Sequence, residues 1–449
     1  MVLIFLLILI TIITFVIFSF LRSNYGFFHI IPVLAALSLI DVFIPFIILD
    51  LYGYPDSLYG VLDVYHRLDG VVYYIIFYSI FFIYIITFTK KIDLNWHAQM
   101  CRMVPVFHKR GGLFLIVTGG FFAMGLLYQI DLHGGVTHWI YNTFTLRFNP
   151  DKVHNGFLEN FFILPWRTAF NFFVLFGFFL RHALERPKLY GFVLPLISIM
   201  FSISTSYRGS ILMLMLGFIF LEMVRIKIHR QGDFRTIFGN GYEKILNFRY
   251  YFLVVMAIIA FMLYGAVRSG YVEDALGYNK NQNSVVYQVI SQGSSLEAIS
   301  SIVKMYGNDL DYLYGKTYID MLLLPVPRFI YTSKPKWYGI DDITRNMGGS
   351  KSTQSAVSMP GEAYANFGWY GLFIAVIYGA IFAAIINSVN RRGGVYIIMY
   401  ALYGVPLLFV MNWMSFTGFM NLVPRIAFIM FLVFLFKTKF MTRSKKVAT

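Results

Sequence analysis

The sequence predicts an all-α polytopic membrane protein, and three observations carry that prediction. Hydrophobic residues make up 58% of the chain, aromatics 19% and charged residues only 13%, far from the usage of soluble domains. Mean hydropathy is positive. Apolar runs of about 18 to 22 residues recur, each long enough to cross a hydrocarbon core of roughly 30 Å as a helix.

Taken in order, the apolar runs predict spans near 2–21, 27–49, 71–89, 113–131, 162–180, 189–206, 210–224, 250–267, 366–387, 395–412 and 422–437, about eleven in all. The opening run has neither the charged start nor the small-residue cleavage site of a signal peptide and reads as the first span. The segments follow as 1–267, the N-terminal helices; 268–361, a large external loop; and 362–449, the C-terminal helices with a basic tail. Within the large loop, Val285–Met305 and Thr317–Phe329 alternate apolar and polar residues at helical spacing, which suits helices on the membrane surface or capping a cavity. Pro325 and Pro327 stop the second of these. Between Ser333 and Pro360 a Gly-, Ser- and Lys-rich composition predicts a mobile loop.

Sidedness follows from the basic residues. Of 37 Lys and Arg, 22 fall on one alternating set of connections and tail: Arg22, the 90–110, 181–188 and 225–249 loops, Arg391 with Arg392, and the C-terminus. That side is predicted to be cytoplasmic, with the 268–361 loop outside. The net charge of +15 is accounted for by this asymmetry, without a nucleic-acid partner.

The residues suited to chemistry cluster at the outer side. Arg208, at a tight turn after Tyr207, reads either as a snorkelling interface arginine or as a clamp for a diphosphate, because a guanidinium offers a planar fork to phosphate oxygens at every relevant pH. Arg268 has the same two readings. Arg328, Lys334 and Lys336 lie on backbone stiffened by Pro325, Pro327 and Pro335, a preorganised anion site or a solvated charge cluster. Glu362 follows Pro360 and Gly361 at the head of a span, where a carboxylate either complements the positive helix end or, partly buried, takes a proton from a hydroxyl. Asp41, His29, Arg167, Arg425, Asn412 and Asn421 are intramembrane or interfacial polar groups, suspect by position, and His138 and His154 are alternative bases.

Several chemistries lack a pattern. A single Cys101 excludes an internal disulfide and a thiolate zinc site. There is no HExxH and no GxxxxGK[ST]. Asp309 and Asp311 form a DxD able to hold a divalent ion, a spacing common in solvated loops. No cofactor and no metal are expected.

The order of three features carries a resemblance: Tyr207-Arg208-Gly209 between two spans, then YGKTYIDMLLLPVPRFIYTSKP, then PGEAYANFGWYG leading into a span. The PxPRxxxxxKP and GExYxNFGxxG patterns together resemble the Wzy-type oligosaccharide repeat-unit polymerases of bacterial O-antigen and exopolysaccharide synthesis. The resemblance implies a GT-C-type glycosyltransferase fold, with undecaprenyl-diphosphate-linked oligosaccharides as donor and acceptor at the periplasmic face of the inner membrane. It also implies a chain-length regulator and a flippase as neighbours. Glu362, Arg328 and Arg208 would carry the reaction. Arg268, Lys334, Lys336, Tyr207, Tyr364 and Arg425 would hold diphosphate or sugar, with Tyr331, Trp337, Tyr338 and Trp369 as further stacking surfaces. A lipid-linked oligosaccharide flippase or exporter remains as an alternative, although neither internal repeats nor clear midplane charges are visible. So does an O-antigen ligase, for which a histidine in the external loop is expected; residues 268–361 contain none.

Overall fold

In a computed structural model of the chain, the described residues are 64–89, 96–138, 164–203, 214–225, 294–323, 343, 346, 357–392, 395–404 and 425–434, with gaps at 133, 182, 183 and 223. Among them the structure is helical and has no strand, only an isolated bridge from Tyr306 to Leu310. The helices are α1 (Val64–Phe88), α2 (Trp96–Leu132), α3 (Leu164–Leu180), α4 (Leu194–Ile203), α5 (Ser294–Met305), α6 (Lys316–Leu322), α7 (Met359–Phe367), α8 (Leu372–Arg392), α9 (Val395–Met399) and α10 (Arg425–Phe434). Residues 214–222, 224 and 225 are also helical.

Three helical runs are long and apolar enough to cross a membrane: Leu68–Ile85, Gly111–Tyr128 and Met359–Val389. They coincide with the runs expected near 71–89, 113–131 and 366–387, which accords with a helical membrane protein. The spans expected at 2–21, 27–49 and 250–267 lie outside the described residues. The described elements fall into two compact units, the first holding α1 and α5 to α8, the second α2 to α4, residues 214–225, α9 and α10.

The first unit is built on α1. Its apolar face recurs at helical spacing through Tyr73, Phe77, Tyr78, Phe81, Phe82 and Ile85, all buried, while Ile76, Ile83 and Phe88 point outward. Small residues let the neighbours come close. A Cβ on Gly70 would lie 2.8 Å from Ser300 Oγ and 3.0 Å from Ser300 Cα of α5, and one on Gly379 of α8 would lie 2.8 Å from Tyr84 Cβ. At the far end of α1, Asn387 Nδ2 donates to the Phe88 carbonyl at 2.9 Å.

Of the readings given for the external loop, the surface placement of α5 and the last residues of the mobile loop are corrected. Helix α5 is not laid on a surface: Ala298, Ile299, Ser300, Ser301, Ile302 and Val303 are all buried, because the helix sits in contact with both α1 and α7. Residues 357–360, assigned by composition to a mobile loop, are likewise buried. There Ser358 caps α7, its hydroxyl accepting from the Gly361 amide at 3.3 Å, with Pro360 in the first turn where its missing N–H costs nothing.

The second unit centres on α3, whose side chains from Arg167 to Leu180 are buried all round, the signature of a central helix. Helix α2 lies along it, with Phe107 against Phe176 at 4.7 Å between ring centroids and Gly119 against Phe170. Its other face, Leu113, Ile116, Met124 and Leu127, is exposed, as a lipid-facing stripe would be.

Candidate functional site

Glu362 is completely buried. It lies in the first turn of α7, one turn inside the helix rather than ahead of it, with its amide donating to the Ser358 carbonyl at 2.9 Å. The positive end of the helix favours a negative charge there. Helix α7 ends at a glycine. Gly368 has φ +57°, and a 3-10 turn, Gly368–Gly371, carries the chain into α8. Any side chain at Gly371 would collide, since a Cβ would lie 2.5 Å from both the Ala363 carbonyl oxygen and the Tyr73 hydroxyl.

One turn after Glu362, Asn366 uses its whole amide to fasten the preceding loop segment to α7. Its Nδ2 donates to Thr317 Oγ1 and to the Glu362 carbonyl, each at 2.8 Å, and its Oδ1 accepts from the Gly315 amide at 3.0 Å. The Leu313 and Tyr314 amides add bonds to the Ala365 and Asn366 carbonyls at 2.9 and 3.0 Å. The start of α6 is thereby fixed beside the first turns of α7. Helix α6 stops at Leu322, close in sequence to Pro325.

Tyr318 follows Thr317 and is held by a parallel stack on Phe367, centroids 6.0 Å apart and planes 5° from parallel. The Tyr378 hydroxyl of α8 donates to the Tyr318 hydroxyl at 3.2 Å. Burial raises the Tyr318 pKa well above the ordinary phenol value, with the charge of Glu362 the next largest cause, so this phenol is neutral throughout the physiological range. Asp320 is also buried. The hydroxyls of Ser300, Ser301 and Tyr73, on the helices flanking α7, are buried and have no hydrogen-bond partner among the described residues.

The other expected site residues are distributed unevenly. Tyr364 is buried in an aromatic cluster, edge-on to Tyr73 at 4.9 Å and to Tyr312 at 6.2 Å, with Trp369 edge-on to Tyr73 at 5.4 Å. Arg425 belongs to the second unit. There, Tyr403 lies within electrostatic reach of Arg425 and of the buried Arg167. Asp309 and Asp311 are exposed in the turn after α5, and His138 is exposed after α2. Among the described residues no group of His, Cys, Asp and Glu could hold a metal ion. Tyr207, Arg208, Arg268, Arg328, Tyr331, Lys334, Lys336, Trp337 and Tyr338 lie outside the described residues, as do Asp41, His29, His154, Asn412 and Asn421.

Sequence reading passed over Tyr318, Asn366 and Tyr378. Two of them stood in the quoted patterns: Tyr318 in YGKTYID, and Asn366 four residues after Glu362, hence on its helical face. It also passed over a second buried carboxylate. Glu222 in the second unit accepts from Arg181 Nη2 at 2.9 and 2.8 Å and from Arg225 Nε at 3.3 Å and Nη2. Arg181 also donates to the Phe178 carbonyl at 3.1 Å, closing the C-terminus of α3.

No family model, curated protein or solved structure matches this chain.

Proposed function

We propose that the protein is a membrane glycosyltransferase that joins undecaprenyl-diphosphate-linked oligosaccharide repeat units into O-antigen or exopolysaccharide, with Glu362 as the general base. The observation that carries the reading is Glu362 itself. A carboxylate fully buried at the head of a membrane-length helical run is expensive, and here it is held one turn from the Asn366 amide that fixes the start of α6. A purely structural cap would serve equally well at the surface.

In this reading the acceptor sugar hydroxyl attacks the anomeric carbon of the donor. The new C–O bond forms as the bond to the diphosphate breaks, the proton passes to the Glu362 carboxylate, and the diphosphate leaves with the electron pair. Arg208 and Arg328 would stabilise the charge that grows on the leaving group, while Arg268, Lys334 and Lys336 hold the lipid diphosphate and Arg425 a further phosphate or sugar group. The buried hydroxyls of Ser300, Ser301 and Tyr73 are polar partners suited to sugar rather than to lipid tails. The reaction needs no metal in this scheme. The chain would cross the inner membrane about eleven times in a GT-C-like arrangement, with the reaction on the periplasmic face and with a flippase and a chain-length regulator of the same pathway as neighbours.

The test is polymerisation by purified protein given a lipid-diphosphate-linked repeat unit in EDTA. A ladder of longer lipid-linked glycans from wild type, lost in Glu362→Gln and Arg328→Ala while both variants keep the wild-type melting temperature, is the expected result. A ladder that needs added metal points to Asp309 and Asp311. No ladder under any condition favours the lipid-linked oligosaccharide exporter instead.

A further inference from the structure

We propose that Tyr314 is a sugar-stacking residue: its exposed ring, at the outer end of a line of tyrosines beside α7, holds one sugar of the lipid-linked oligosaccharide, an inference that rests on reading the chain as a glycosyltransferase. The first observation is its backbone. Tyr314 has φ +46°, in the left-handed region where a Cβ crowds the carbonyl and a bulky residue is rare. A turn alone does not ask for a tyrosine there. Gly315, the next residue, also has a left-handed φ, +85°, and meets it at no such cost. The conformation is imposed from α7. The Tyr314 amide donates to the Asn366 carbonyl at 3.0 Å, and the amides on either side, Leu313 and Gly315, donate to the Ala365 carbonyl at 2.9 Å and to Asn366 Oδ1 at 3.0 Å. Backbone strain held in place by its surroundings in this way concentrates at binding and catalytic positions.

What the strain achieves is an aromatic ring presented at the surface. Tyr314 is 73% exposed, yet its ring stands edge-on to Tyr312, centroids 6.4 Å apart. Tyr312 is in turn wedged between two left-handed glycines. A Cβ on Gly368 would lie 2.7 Å from its hydroxyl and from its ring Cζ, and one on Gly307 would overlap the hydroxyl. Behind Tyr312 come Tyr364 and then Tyr73, so rings run one against the next from the buried interior of the unit to its surface. The surroundings select a sugar over a lipid tail. In the turn that carries Tyr314, Asn308, Asp309, Asp311 and Lys316 are all exposed, and the next exposed large apolar side chains along the chain are Ile319 and Leu322. A pyranose presents C–H groups on one face and hydroxyls round its edge. An aromatic ring with carboxylates and an amide close by in the chain suits both, and a tyrosine supplies that contact with few rotamers to freeze. Because Tyr314 is exposed where Glu362 is wholly buried, it holds a sugar other than the pair being joined, and its effect falls on binding rather than on chemistry.

Binding is measured without turnover, by saturation-transfer NMR on the full-length protein in lipid nanodiscs. The probe is the free oligosaccharide cut from the lipid diphosphate of the repeat unit. Tyr314→Ala weakens binding on the order of tenfold, the loss of one ring contact, and Tyr314→Phe, which keeps the ring, binds like wild type. In the polymerisation assay Tyr314→Ala raises KM with kcat little changed. Tyr314→Gly separates binding from structure: it relieves the left-handed strain, so its melting temperature equals or exceeds that of wild type while its affinity falls as far as that of Tyr314→Ala. A tyrosine that serves only to hold the turn gives the opposite, a lower melting temperature with unchanged affinity. Unchanged affinity in Tyr314→Ala, equal losses in Tyr314→Phe and Tyr314→Ala, or no transfer signal from wild type overturns the stacking role. A lipid-facing ring is detected with Tyr314→Trp: protection of its added fluorescence by the oligosaccharide supports the proposal, and quenching by brominated lipid overturns it. Binding that depends on Tyr314 with no glycan ladder from wild type keeps the sugar contact and removes the polymerase reading. A wild-type ladder with Tyr314→Ala unchanged in both affinity and KM removes the contact and leaves that reading standing.

Discussion

Glu222 in the second unit has its carboxylate gripped by two guanidiniums, those of Arg181 and Arg225, and the group is completed by the Phe178 ring, over which Arg181 lies at 4.2 Å from the centroid. Glu362 in the first unit is just as deeply buried and lies within electrostatic reach of the Tyr318 and Tyr378 phenols. The difference teaches how to separate a structural carboxylate from a chemical one. Salt-bridging on both oxygens uses up the acceptor capacity of Glu222 and joins the end of α3 to the helix at 214–225. The extra positive charge of two arginines against one glutamate is offset by the negative C-terminal end of α3. Glu362 stands instead at the N-terminal end of α7, whose positive end favours its charge.

Neutralising each in turn is the sharpest way to break the comparison. Glu362→Gln keeps the side-chain shape and should lower polymerisation by at least ~10²-fold, the scale of a lost general base, with a melting temperature close to wild type. Glu222→Gln should do the reverse. It leaves two guanidiniums buried without their counter-charge, a loss on the order of 3–5 kcal/mol, seen as a lower melting temperature and poor recovery from the membrane. Replacing the whole triad, as Arg181→Met with Glu222→Leu and Arg225→Met, should recover most of that stability. If the triple variant were as unstable as Glu222→Gln, the triad would be doing more than joining helices.

How much of this was legible beforehand depended on range. The membrane class, the three long apolar helices and the suspicion attached to Glu362 follow from local composition and position, because a 31-residue apolar run and an acid at its head are visible without any partner. Tyr318, Tyr378 and Asn366 acquire meaning only through contacts reaching 49 to 60 residues along the chain, which no window contains. The surface reading of α5 failed for the same reason. Its alternation of Ala, Ile and Val with Ser looks amphipathic, yet the serines face inward because small side chains let α1 approach. Glu222 was missed for a different reason. It sits at the end of an apolar run beside several basic residues, and the charge count absorbed Arg181 and Arg225 as markers of sidedness.

A smaller effect probes the frame that holds Glu362 rather than the group itself. Gly371→Ala forces a methyl against the Ala363 carbonyl and the Tyr73 hydroxyl, and overpacking of this kind costs about 1–3 kcal/mol. The 3-10 turn has to move to relieve it, so thermal stability and polymerisation should fall together. Gly120→Ala, where nothing lies within 4 Å of the added methyl, is the matched control and should change neither. Equal losses in both would mean that glycine flexibility, not the close approach, is what matters at position 371.

The smallest effect concerns Tyr318 at high pH, and its sign can be worked out. The folded pKa of this phenol lies well above the value near 10 of an unfolded tyrosine. Below that value both states are protonated and its contribution to stability is fully present. Above it the unfolded chain releases the proton while the folded one retains it, so stability falls as pH rises, by up to about 1.4 kcal/mol per unit for this one group. Tyr318→Phe removes the group from that balance. Its melting temperature, lower than wild type near neutral pH through the lost hydrogen bonds, should therefore decline less steeply between about pH 10 and 11. Parallel curves for the two proteins would mean that Tyr318 ionises as freely in the folded chain as in the unfolded one, and the phenols would then be no better shielded from water than a surface pair.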